Sequence, residues 1–208
     1  MIGLMMKDLY FLRDSFVIAI ISLVALGFGI TILSTPTVFL VLAPVVFSST
    51  IVSTISKDRQ SNWDKYAKTM PIEKSSIPGS KYILFLLSVC FGTLLGLLMS
   101  TFGLIVKQNL NLNELMISML FGISIALLSG SMSIPANYLL SEEKAILVQI
   151  LSYTAITIII TALVYILNLF IQIKEYKELM SFIFLIFSLI MYFISWKICK
   201  SKFSKMEE

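Results

Sequence analysis

Residues 82–106 read YILFLLSVCFGTLLGLLMSTFGLIV, without one charged side chain between Lys81 and Lys107. These 25 residues exceed the ~20 helical residues needed to cross a hydrocarbon core about 30 Å thick. Barrel strands would be ~10 residues long with alternating polarity, and this run does not alternate. It therefore reads as a transmembrane helix.

Five further apolar runs flank it: Ser15–Leu33, Thr37–Ile55, Leu115–Leu140, Ala145–Ile173 and Leu179–Ile198. The 208 residues are 58% hydrophobic and 13% charged, with a mean hydropathy of +0.94, whereas soluble domains carry about 25% charged residues. The expected fold is all-α, a polytopic membrane protein with six transmembrane helices in a single domain spanning 1–208.

Six spans place both termini on one side. If that side is the cytoplasm, every Lys and Arg lies inside except Lys107, Lys174 and Lys177. Such an asymmetry obeys the positive-inside rule and predicts an N-in/C-in topology. The net charge of +4 is then a consequence of topology and calls for no nucleic-acid partner. The first apolar run is too long for a signal-peptide core and no small-residue cleavage site follows it, so it is expected to remain in the mature protein.

Cys90 and Cys199 fall at different depths and are expected to be free thiols. With no histidine in the chain, a zinc site is not expected.

Before the first run, Ile2, Met5, Leu9, Leu12 and Phe16 recur every three or four residues among Lys7, Asp8, Arg13 and Asp14. Residues 1–14 thus suit an amphipathic helix at the membrane interface, the alternative being a plain extension of the first span. Ser34-Thr35-Pro36 leaves room only for a tight hairpin with Pro36 at a helix start. Pro44 removes a backbone hydrogen bond inside the second run and is expected to bend it, as a moving part or a passive kink.

Gly92 and Gly96 form a GxxxG step that permits close helix approach. Ser124, Ser129, Gly130, Ser131 and Ser133 suit close packing or a pathway lining. The long fifth run, with Asn168 and Gln172 before Lys174-Glu175-Tyr176-Lys177-Glu178, must tilt, protrude or break. Tyr192 and Trp196 are expected to anchor the sixth span at the interface.

Charged groups at mid-membrane mark ion and proton pathways, and none lies in the middle of any run. That disfavours an ion-coupled transporter. No G-x-x-x-x-G-K-[ST] or H-E-x-x-H motif occurs, and the serines of the runs have no deep Lys or His to act as base. No enzymatic activity is expected of this subunit itself.

What remains is the polar island 57–81. Ser61 and Asp64 stand in capping-box relation, Trp63, Tyr66 and Met70 follow on one helical face, and Pro71 stops the turn. A short helix from about Asn62 to Met70 is expected. Its aromatics could anchor a protein partner, with Lys65 and Lys68 facing acidic groups, or lie among lipid headgroups. The residues alone leave both readings open.

Three segments resemble the ABC-2 type transporter permeases, in particular the small six-span bacterial subgroup. They are Lys7-Asp8-Leu9-Tyr10, the loop from Asp58 through Trp63-Asp64-Lys65-Tyr66 and Met70-Pro71-Ile72 to Tyr82, and Ile134-Pro135-Ala136-Asn137-Tyr138 through Lys144. The resemblance implies that the island carries a cytoplasmic coupling helix docking on a separate ATP-binding cassette subunit. Trp63 and Tyr66 would pack there, Asp64, Lys65 and Lys68 would make polar contacts, and Met70 and Pro71 would close the helix. Ser141, Glu142, Glu143 and Lys144 would form a second contact, and residues 1–14 an interfacial connecting helix.

The same resemblance implies a dimer with a second permease subunit, homo- or heterodimeric, in the bacterial cytoplasmic membrane. The chain would hold no cofactor of its own, ATP and Mg residing on the partner ATPase. Similar permeases export amphipathic peptides of the phenol-soluble modulin kind or protect against antimicrobial peptides. Peptide export is therefore the first expectation, with lipid-like or drug cargo next. A membrane immunity protein that binds a toxin without transport is the rival, and it predicts no ATPase partner.

Overall fold

The computed structural model of the protein describes residues 2–33, 35–63, 66–67, 76–108, 111–170 and 173–205. Within these, the side chains of 2, 26–33, 142, 161, 163–170, 173–176 and 203–205 are outside the description. Six long helices follow in order: α1 (Ile2–Leu33), α2 (Phe39–Gln60), α3 (Ser76–Val106), α4 (Leu112–Leu139), α5 (Glu142–Phe170) and α6 (Ile173–Lys205). A 3-10 turn, Pro36–Val38, leads into α2. The described residues contain no strand.

Among the described residues, five segments are long and apolar enough to cross a membrane: Pro36–Gln60, Ser76–Val106, Leu112–Leu139, Glu143–Ile160 and Lys177–Lys202. The remaining helix is α1. The segment read as an interfacial helix and the first apolar run belong to one helix, α1, which runs unbroken from Ile2 to Leu33. Neither glycine nor proline occurs between Leu4 and Ala25, so nothing interrupts the helical hydrogen-bond ladder. Leu12, Ala19 and Leu23 of α1 are buried against the bundle.

The polar island is also shorter than 57–81. α2 continues to Gln60 because Lys57 and Arg59 complement the negative end of its dipole. It ends where Asn62 takes a left-handed φ of 54°, a conformation asparagine tolerates just past a helix C-terminus. On the other side α3 starts at Ser76, with Pro78 harmless in its first turn.

α2 and α4 form the centre, with α3 and α6 packed most extensively against them. The membrane-spanning window is 56% buried in α2 but only 17% in α5, which places α5 at the periphery. The GxxxG step is the close approach of α3 to α2: a β-carbon at Gly92 would stand 2.7 Å from Pro44 Cα, and one at Gly96 2.9 Å from the Phe39 carbonyl oxygen. Gly130 likewise makes room for the Phe85 ring.

Ser124, Ser129, Ser131 and Ser133 are all buried, and the first three donate to carbonyls of their own helix, those of Leu120, Ala126 and Leu128. Spent on the backbone, those three hydroxyls make α4 a packing surface.

Tyr192 departs from its expected place. Expected at the membrane interface, it is fully buried and donates a 2.7 Å hydrogen bond to the Tyr82 carbonyl oxygen. Trp196 is half-buried, with its ring stacked 6.3 Å from that of Tyr82. Aromatic composition at a helix end does not distinguish an interfacial ring from one turned into the bundle.

The fifth run is helical without a break to Phe170. Lys174 to Glu178, read as a connection, belongs to the first turns of α6. The side chain of Asn168, and all of Gln172, lie outside the described residues.

Candidate functional site

The site is built on the last turn of α2. Asp58 and Arg59, adjacent there, point in different directions, and each ties that turn to other helices. Asp58 Oδ1 accepts a 2.6 Å hydrogen bond from Lys7 Nζ of α1, and Oδ2 accepts one of 2.7 Å from Lys81 Nζ of α3. Lys81 also lies 2.8 Å from Asp8 Oδ1 and donates to Thr54 Oγ1 at 3.0 Å.

An ammonium has three donors, and Lys81 meets three acceptors, one each from Asp8, Asp58 and Thr54. That completeness explains how a lysine only 3% exposed and an aspartate only 2% exposed coexist here. A buried ion pair is tolerable when each charge is fully partnered, and removing one member costs about 3–5 kcal/mol. Lys7, 3.5 Å from Asp8, closes the group.

Arg59 turns the other way. Its Nη1 donates to the Leu140 carbonyl oxygen at 2.6 Å, and its Nη2 to that of Asn137 at 2.6 Å. The Asn137 carbonyl is in the last turn of α4, where carbonyls lack a partner within the helix, and Leu140 is the residue that caps it. Ser56 adds a 2.9 Å bond to Asn137 Oδ1. The planar guanidinium fork suits two neighbouring acceptors.

Beyond the turn at Ser61–Asn62 the chain becomes helical again at Trp63, Tyr66 and Ala67. Ala67 is buried, while Tyr66 is 65% exposed. Lys7 Nζ stands 4.3 Å from the centroid of the Trp63 ring, a cation–π contact. Lys57 makes a second one, 4.6 Å over Phe11. Between α1 and the end of α2, Lys7, Phe11, Lys57 and Asp58 line an open cleft of about 740 Å³ that reaches from Tyr10 to Trp63.

Of the residues singled out from sequence, Trp63 and Tyr66 both lie just beyond this turn but differ in exposure: Trp63 is half-buried with Lys7 over its ring, and Tyr66 faces outward. Asp64, Lys65, Lys68, Met70 and Pro71 lie outside the described residues. The expected cap from Ser61 involves Asp64 and so lies partly outside them; the Ser61 hydroxyl itself donates to the Asp58 carbonyl oxygen at 3.1 Å. Glu142 opens α5, its side chain outside the description, and Glu143 and Lys144 are exposed on the first turn. Through Leu140, Arg59 connects the turn preceding Trp63 with the one preceding that second segment.

Asp8, Asp58, Arg59 and Lys81 lie in the segments that carry the resemblance, but the sequence assigned none of them a role in the site. A lysine bordering a 25-residue uncharged run is a signal, because it sits in the second turn of a helix that packs on its neighbours. Its partners were not legible, since they come from residues 23 and more positions away. The described residues bring together no group of His, Cys, Asp or Glu that could hold a metal ion. The arrangement offers binding and mechanical connection, not a nucleophile with its base.

A family model described as ABC-2 family transporter protein matches residues 3–204 of the chain. No curated protein and no solved structure matches.

Proposed function

The chain belongs to the ABC-2 family of transporter proteins, and on that premise we propose that it is the permease of an ATP-driven exporter whose polar island docks on the ATP-binding subunit. Membership makes it the membrane component of an ABC transporter, associated with a separate ATP-binding subunit. The finer reading adds six spans with both termini in the bacterial cytoplasm, and a dimer of permease subunits. Its cargo is amphipathic or hydrophobic peptide.

The observation that carries the docking reading is the arrangement around Trp63. An outward Tyr66 and a half-covered Trp63 follow directly on a helix turn that is fastened to α1 and α3 by Asp58 and to the end of α4 by Arg59. A partner pushing on this short segment would act on four helices at once. Coupling requires contacts that differ between the two access states, and a lever of this kind supplies them. The apolar character of the spans suits peptide cargo with an apolar face.

The test is the ATPase activity of the reconstituted complex. Trp63→Ala should insert and fold yet lose stimulation of the ATP-binding subunit by the permease. Full stimulation in that variant would end the docking reading. Vesicle uptake of an amphipathic helical peptide, dependent on ATP, tests the cargo.

A further inference from the structure

We propose that Lys81 is a positioning residue for Trp63, acting through Asp58 and Lys7, so that the base of α3 sets the orientation of the tryptophan. The proposal deepens the docking reading of Trp63 and rests on it for its functional meaning, although the contacts it invokes all lie within this chain. Lys81 touches Asp58 at 2.7 Å, Asp58 touches Lys7 at 2.6 Å, and Lys7 stands 4.3 Å from the Trp63 ring. Charges alternate along this sequence of contacts, and each link leaves the next group free to make its own.

The links depend on one another because two carboxylates compete for Lys7. Asp58 holds it at 2.6 Å and Asp8 stands at 3.5 Å. Lys81 satisfies Asp8 at 2.8 Å, which leaves Lys7 to Asp58 and the indole. Without the Lys81 ammonium, Asp8 and Asp58 both depend on Lys7, and Asp8, with its side chain 3% exposed against 17% for Asp58, has the greater need of it, because burial makes an unpaired charge costly. Lys7 is then drawn toward Asp8 and off the ring. A shift of α3 against α1 acts in the same way, since Lys81 belongs to one helix and Asp8 to the other.

The experiment uses the full chain in lipid nanodiscs with Trp196→Phe, which leaves Trp63 as the sole tryptophan of the two in the sequence. Quenching by acrylamide, a neutral probe that altered charge does not attract, is compared across Lys81→Met, Asp58→Asn and the conservative Lys7→Arg, each with its thermal unfolding curve. Loss of one solvent-accessible cation–π contact should raise the quenching constant about twofold or more in Lys81→Met and Asp58→Asn, and Lys7→Arg should match the parent. If Lys81→Met does not fold, Asp58→Asn decides, because Asp58 is less deeply buried and the amide keeps its shape. A folded Lys81→Met protein with unchanged quenching, or a folded Asp58→Asn protein with unchanged quenching, overturns the proposal. Raised quenching with undiminished binding of the ATP-binding subunit upholds it and removes instead the reading of Trp63 as the docking residue.

Discussion

Arg59 Nη2 donates a 2.6 Å hydrogen bond to the carbonyl oxygen of Asn137, so the last turn of α2 caps the last turn of α4. The donor stands four residues before Trp63 and the acceptor five before Glu142, which makes Arg59 the direct link between the two segments read as ATPase contacts. Hydrogen bonds from charged donors contribute about 1.5–3 kcal/mol. Arg59→Ala should therefore lower the midpoint of thermal unfolding by about 3–12 °C, and Arg59→Lys, which can reach only one carbonyl well, by less. Differential scanning fluorimetry in detergent reads both; an unchanged midpoint in Arg59→Ala would show the cap to be idle.

Helix packing gives a second expectation. A methyl group at Gly92 would meet Pro44 Cα at 2.7 Å, and backbone cannot move aside as a side chain can. Gly92→Ala should destabilise by about 1–3 kcal/mol through overpacking, even though alanine favours the helix by about 1 kcal/mol. Gly3, where an added methyl group would meet nothing within 4 Å, supplies the control. Gly3→Ala should unfold no earlier than the parent protein.

The buried tyrosines give a third. Tyr192→Phe removes the donor to the Tyr82 carbonyl oxygen and keeps the ring that packs 5.2 Å from Tyr82. The Tyr82 carbonyl keeps its partner within the helix, so the loss is that of one net hydrogen bond, about 0.5–1.5 kcal/mol, and the variant should unfold a few degrees earlier. An interfacial tyrosine would tolerate the change without loss.

Which parts of this were legible in the sequence follows from the range of the interactions concerned. The apolar runs are local, and each lies within or largely overlaps one long helix; the GxxxG step likewise found its partner in α2. Element ends were misread where long-range pairs stabilise them: Asp58 and Lys81 counted as loop charges, yet both are helical because each is held by the other. Tyr192 was placed by composition at an interface and is instead turned inward, an orientation set by Tyr82 more than one hundred positions away. The tryptophan of the island was legible as a candidate contact, but its cover of Lys7 comes from α1 and leaves no local trace.

Topology provides a fourth expectation. In a Cys90→Ser, Cys199→Ala background, Gln60→Cys should react with a membrane-impermeant maleimide only after cells are opened, whereas Asn111→Cys should react in intact cells. Both positions are exposed. Labelling of Gln60→Cys in intact cells would reverse the orientation inferred from the distribution of Lys and Arg.

The coupling account stands most directly on association with the ATP-binding subunit. Co-purification from membranes expressing both proteins compares the parent chain with Trp63→Ala/Tyr66→Ala, with equal insertion checked by the yield of the permease. The account predicts a stable complex for the parent and its loss in the double variant. Equal recovery of the ATP-binding subunit with both would contradict it, and would place the docking surface elsewhere on the chain.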